Sequence, residues 1–250
     1  MPGMAQDSPK PGQRAAPADT TEDAASPRRA VPTSVRAELV EAPRVALADS
    51  GPSTGSGRTE EEKGSALDAE RAFAADAQTL GQWTAFRKWA ARDATMFVPQ
   101  PINAQSWLKD RKDPAKAIAW WPTASYVSCD GSLAVNTGGW KRPDGAVGYF
   151  STVWQRQPDG GWKWIVDGGD DLKVARPHVA TPVVHHAKCG KTSVWEGVDL
   201  EGMTGSGVSK DATLIWTWIV HDDGSRRFQV LRWDGQSWEP AMTDKIAAPK

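Results

Sequence analysis

Three Asp-Gly pairs, Asp130-Gly131, Asp144-Gly145 and Asp159-Gly160, recur every 14 or 15 residues and set the frame of this chain. Asp-Gly favours the positive-φ turns that join antiparallel strands, and the runs between the pairs are rich in Val, Thr, Tyr, Phe and Trp. Residues 125–167 therefore predict a β-meander with strands at 126–129, 133–140, 147–157 and 162–167. In the third strand Phe150, Thr152, Trp154 and Arg156 alternate with Tyr149, Ser151, Val153 and Gln155. Neither face is purely apolar. That suits a sheet covered by helices on one side and holding a mixed-polarity pocket or interface on the other.

Helices are expected before the meander. Ser65 and Asp68 have the form of a capping box, and Leu67, Phe73, Ala74, Ala77 and Leu80 follow at near-helical spacing, which predicts a helix to about Gln78. Gly81 breaks it. Trp83, Phe86, Trp89 and Ala90 suit a second helix ending before Met96, residues 104–109 a third piece, and Asp113-Pro114 the start of another through Trp120. After the meander, residues 176–189 read as an irregular connection. Residues 213–220 and 226–233 make a hairpin around Asp223-Gly224, with a last short strand at Ser237-Trp238. Some 60 residues hardly form a large independent core, so this hairpin is expected to dock on the first sheet.

Residues 1–64 hold no Trp, Tyr or Phe and are dense in Pro, Ala, Ser, Gly and charge, a composition that predicts a disordered tail. Two pieces of it, 34–44 and 53–60, resemble translated interspersed repeats of some bacterial genomes, so a native signal peptide could have been displaced. As written, the start lacks an apolar leader core and the chain reads as cytoplasmic; a periplasmic or secreted protein is the alternative. A net charge of -1 gives no electrostatic reason for nucleic acid as partner, and no apolar run suffices for membrane insertion. Cys129 and Cys189 are either free thiols or, in an exported protein, one disulfide.

Three stretches carry a family resemblance: residues 66–99, ALDAERAF-type helix through Phe97-Val98-Pro99; residues 130–140, DGSLAVNTGGW; and residues 148–167, GYFSTVWQRQPDGGWKWIVD. Together they make residues 65–170 resemble the nuclear transport factor two-like superfamily, in its SnoaL-like bacterial branch. The resemblance implies an α+β cone, with about three helices packed on a curved antiparallel meander around an apolar pocket. It also implies a homodimer, since many relatives pair through the sheet. Residues 171–250 are then the connection and a C-terminal β-hairpin extension. The superfamily contains isomerases, dehydratases and cyclases beside non-catalytic adaptors, so fold alone does not choose a reaction.

Candidate site residues are few. Asp167, ending the last strand, is the catalytic candidate: in an apolar pocket its pKa would rise and it would serve as general base. A solvated strand end is the alternative. Asn136, Thr152, Trp121 and Trp154 are read as ligand-pocket residues, Asn136 and Thr152 because they interrupt apolar strands. The four histidines, His178, His185, His186 and His221, lie beyond the cone, which leaves no base of the scytalone dehydratase kind. His185, His186 and Cys189, with Glu196 or Asp199, lack recognised ligand spacing, so no metal and no cofactor is expected. The readings are then a protein binding a small apolar ligand or partner protein; a cofactor-independent lyase or isomerase of the ketosteroid-isomerase type; or an envelope protein binding glycan or protein through Trp-rich strands. The residues lean toward the first, a non-enzymatic role.

Overall fold

Helix α1 (Ala66–Thr79) begins where the capping box places it: the Ser65 hydroxyl accepts the Asp68 N–H at 3.2 Å, and the Asp68 carboxylate accepts the Ser65 N–H at 2.9 Å. Each bond satisfies an amide that the first turn leaves without a partner. Helix α2 (Gln82–Trp89) starts at Gly81, which has φ 105 and no side chain to cap with. The cap arrives from a distance, for Asp113 accepts both the Thr84 N–H (3.0 Å) and the Thr84 hydroxyl (2.6 Å). Asp113 thus serves α2 and does not open a helix of its own. The helix expected through Trp120 is corrected to extended chain.

This computed structural model describes residues 64–195 and 202–249, which lie in one compact unit; the expectation for the tail falls almost wholly outside them. Strand β1 (Ala90–Phe97) follows α2 directly, where a helix end and linker were expected. A cis Val98-Pro99 bond turns the chain into β2 (Pro101–Asn103), and Asn103 caps the short α3 (Ala104–Leu108) by accepting the Ser106 N–H. The meander then runs as β3 (Ala119–Val127), β4 (Leu133–Lys141), β5 (Val147–Arg156) and β6 (Trp162–Leu172), antiparallel throughout. Within the expected irregular connection lies β7 (Val183–His186). The first sheet has the order β2-β1-β6-β5-β4-β3-β7, with β1 parallel to β6 and β7 parallel to β3. It is a mixed sheet, wider than a four-stranded meander.

The second sheet is built from β8 (Met203–Val208), β9 (Leu214–Val220), β10 (Arg226–Trp233) and β11 (Trp238–Ile246), in the order β11-β10-β9-β8. Strand β8 contains Gly205-Ser206-Gly207, a pattern that reads as a flexible turn. The glycines are there because the Trp218 and Trp216 indoles lie across them: a Cβ at either position would fall within 3.0 Å of an indole.

Two cores result. Helices α1 and α2 cover one face of the first sheet, packing Phe73, Ala77 and Ala85 on Trp154, Trp162 and Trp164. On the opposite face Leu133, Val135, Val153 and Val166 meet Leu214, Trp216, Trp218, Val220, Phe228 and Val230 of the second sheet. Trp162, Trp164, Trp216 and Trp218 are all buried. These four indoles therefore lie in cores.

The two sheets share their turn chemistry. In residues 128–133 the Ser128 hydroxyl donates to Asp130 and accepts the Leu133 N–H; in residues 209–214 Ser209 does the same with Asp211 and Leu214. Gly131 (φ 65) and Ala212 (φ 55) occupy matching left-handed positions. The two turns also bind each other: Asp211 accepts the Asp130 N–H, Thr213 the Cys129 N–H and Ser132 the Lys210 N–H. The outer face of the first sheet is thus covered by a sheet built on the same turn, as a second copy would cover it.

Cys129 and Cys189 form a disulfide, with Cα atoms 5.2 Å apart and a sequence separation of 60. It ties the β3–β4 turn to the segment whose Lys188 N–H donates to Trp233 of the second sheet. Closing a loop of that length stabilises the fold by about 2–4 kcal/mol. Thiol titration of the unreduced, denatured protein is expected to find no free thiol. Reduction is expected to lower the urea midpoint accordingly, and an unchanged midpoint would refute the structural role.

Candidate functional site

The inner face of the meander and the two helices enclose an open-mouthed cavity of about 520 Å³. Aromatic side chains are prominent in its walls, Phe73, Trp83, Phe86, Trp120, Trp140 and Phe150 among them, and four carboxyl-bearing residues, Glu70, Asp167, Asp170 and Asp171, border it. Alternation along β6 turns Asp167 to this face, opposite Val166 in the second core. Its register partner on β5 is Thr152, whose hydroxyl donates to Asp167 Oδ1 at 2.6 Å. Among the described residues that is the single hydrogen bond to this carboxyl group. Burial raises the Asp167 pKa from 3.8 to about 6, against the opposing Thr152 hydrogen bond. The residue as a whole is part-buried while its carboxyl group is surrounded by protein, so Asp167 is enclosed but opens toward the cavity. It is not a solvated strand end.

Glu70 stands behind it, wholly enclosed at 0 % exposure. Its carboxylate accepts the indole N–H of Trp154 (2.7 Å), the indole N–H of Trp120 (2.9 Å) and the Asn136 amide (3.3 Å). Burial raises its pKa to about 7; those three donors pull the other way, and the Asp167 charge adds to the rise. Among the described residues no cationic side chain is paired with either group. At neutral pH the pair therefore retains a proton on Glu70 in much of the population while Asp167 is mostly ionised.

The sequence-predicted residues separate into three groups. Asp167 and Thr152 face the cavity together. Asn136 and Trp154 are fully buried behind it and act through Glu70; Asn136 also donates to the Ala66 carbonyl at 2.8 Å, which holds α1 onto β4. Trp121 is a correction, because the β3 alternation sends it to the other face, where it stacks on His178 (3.6 Å) and donates to the Pro177 carbonyl. Its neighbour Trp120 takes the pocket place. Sequence reasoning missed Glu70, although the signal was present: Ala66, Glu70, Phe73 and Ala77 form one helical stripe, all buried. A carboxylate in the middle of an apolar stripe demands donors.

His185 stacks on Tyr126 as His178 does on Trp121, and Cys189 is tied up in the disulfide. Among the described residues no group of three or more His, Cys, Asp or Glu is placed to hold a metal; Glu196 and Asp199 lie outside them. No described helix is long and apolar enough to cross a membrane.

No family model matches the sequence, and no curated protein matches it. Solved structures do. A candidate ketosteroid isomerase from Parabacteroides distasonis is 19 % identical, with a TM-score of 0.37 over 47 % of this chain and 94 % of that one. A second candidate ketosteroid isomerase, from Shewanella frigidimarina, is 15 % identical, with a TM-score of 0.33 over 44 % and 98 %. The CaMKII hub of S. rosetta is 16 % identical, with a TM-score of 0.34 over 43 % and 94 %. Each of these likenesses spans less than half of this chain.

Proposed function

We propose that the cavity binds a small, largely apolar molecule and that Asp167 takes a proton from it, as in a cofactor-independent isomerase or lyase. One observation carries this reading: the Asp167 carboxyl group, held by a single hydroxyl, opens into an aromatic-walled cavity. An apolar wall supplies affinity for a ring-bearing ligand. A carboxylate with its pKa near 6 is ionised at neutral pH yet a stronger base than a solvated one. Glu70, wholly enclosed behind Asp167, holds Trp120, Trp154 and Asn136 in place and does not itself meet the ligand. The Cys129–Cys189 disulfide favours an oxidising compartment, hence an exported protein.

The test uses 2-tetralone, a neutral cyclic ketone with acidic C–H bonds, in deuterated buffer. The protein is expected to quench its own Trp fluorescence on binding and to accelerate α-hydrogen exchange, with a rate that rises through about pH 6 as Asp167 ionises. Asp167→Asn is expected to lower the exchange rate by about 10²–10⁴-fold while keeping the quenching. Exchange that is equal in the variant would remove Asp167 from the mechanism. Binding without exchange in the wild type would leave a ligand-binding protein, the second reading.

A further inference from the structure

The second sheet contributes a residue to the cavity. Arg226, first in β10, reaches the cavity mouth beside Asp170, its guanidinium 4.8 Å from the Phe97 ring centroid and its Nη2 3.5 Å from the Gly169 carbonyl. That carbonyl contact is at the long limit of a hydrogen bond. Among the described residues no carboxylate oxygen lies within 4.0 Å of Arg226, although Asp170 acts on it at longer range. The other arginine at the mouth, Arg142, is already engaged, paired with Asp171 at 3.6 Å and laid over the Trp140 ring. A half-buried guanidinium offers five N–H donors in a planar fork, matched to a carboxylate in two parallel bonds. Here that fork is nearly uncommitted, in a partly desolvated place, with an aromatic surface leading inward from it.

We propose that the ligand of this cavity is an apolar molecule bearing a carboxylate, and that Arg226 holds the carboxylate at the mouth while the apolar body lies toward Asp167. The inference rests on the cavity being a ligand site and adds the chemical class. It also gives the second sheet a part in recognition, since its docking is what brings Arg226 to the cavity.

Three probes of one shape test it by Trp fluorescence at pH 7: 4-phenylbutyrate, its neutral amide, and 4-phenylbutylamine. The wild type is expected to bind the carboxylate at least 10-fold more tightly than the amide, and the amine most weakly. Arg226→Gln is expected to bring carboxylate and amide within about 2-fold of each other; Arg226→Lys is expected to keep part of the preference, because the charge stays and the fork is lost. An unchanged urea midpoint reports that each variant is folded. Equal binding of carboxylate and amide by the wild type, a preference that survives Arg226→Gln, or tightest binding of the amine would each overturn the assignment. Amide binding without carboxylate preference rejects the Arg226 role alone, whereas no binding of any probe rejects the cavity as a ligand site as well.

Discussion

Between pH 5 and pH 8 the protein is expected to become less stable, and Glu70→Gln to abolish most of that loss. Both buried acids have folded pKa values above their ordinary ones, Glu70 from 4.5 to about 7 and Asp167 from 3.8 to about 6. Well below pH 3.8 each is protonated in folded and unfolded chains alike, and its burial carries no charge penalty. As pH rises, the unfolded chain releases these protons first, so the folded state binds more protons and stability falls until the folded pKa values are passed. The rise of Glu70 corresponds to about 3 kcal/mol; Asp167 contributes less, because its carboxyl group opens toward the cavity. Asp244, raised by burial and accepting the Ser151 hydroxyl, acts in the same direction. The capping carboxylates Asp68 and Asp113 act oppositely, but their pKa values are lowered, so their effect is complete below this window. Urea unfolding at pH 5, 6.5 and 8 measures the slope. Gln at position 70 keeps one acceptor oxygen for an indole N–H and loses the other, so the variant is expected to be less stable than wild type at pH 5 and much flatter across the range. An identical slope in wild type and variant would mean that Glu70 is not the buried acid that the stripe on α1 makes it.

That stripe shows what could be read in the sequence and what could not. The Asp-Gly turns and the alternation in β5 located the meander and the faces of Thr152 and Ser151, because a period of two is a local property. The capping box at Ser65 located α1 to within a residue for the same reason. Strand β1 was hidden: it pairs in parallel with β6, some 70 positions on in the chain, and its residues Ala90-Ala91-Arg92-Asp93 carry no strand signal of their own. Strand β8 was hidden by glycines whose purpose appears only when the indoles of Trp216 and Trp218 lie over them. Asp113 was misread because its partner, Thr84, lies 29 residues earlier. As for the site, Asn136 and Thr152 stood out as polar interruptions and Asp167 as an acid at a strand end, while the direction of Trp121 depended on the irregular register of β3 between Pro122 and Ala124. No sequence pattern announced Arg226, whose place follows from how one sheet lies on another.

The packing of those sheets sets the second large expected effect. Val153 on β5 and Val230 on β10 are both at 0 % exposure in the core between the sheets, and they hold equivalent places relative to the matched Leu133 and Leu214 turns. Val230→Asp removes a buried isopropyl group and inserts a carboxylate into a cluster of apolar side chains, Leu133, Val135 and Trp216 among them, that contains no cation to pair it. Loss of Val burial is worth roughly 1.5–3 kcal/mol and an unpaired buried charge adds several more, so a loss above about 4 kcal/mol is expected. Val208→Asp, on the edge strand β8 at 54 % exposure, is the control and is expected to stay within about 0.5 kcal/mol. Urea unfolding gives the magnitudes, and chymotrypsin digestion shows where the damage falls. If Val230→Asp only undocks the second sheet, cleavage begins at Trp216 and Trp218 while the helices on the cavity side stay protected and Arg226 is lost from the mouth. If the sheets fold as one unit, tied by the disulfide and by the Asp130–Asp211 and Cys129–Thr213 hydrogen bonds, protection is lost everywhere at a single midpoint. Cooperative loss is expected, because those ties join the turns that begin β4 and β9, the central strands of the interface. A Val230→Asp protein as stable as the Val208→Asp control would mean that the second sheet does not cover this face in solution.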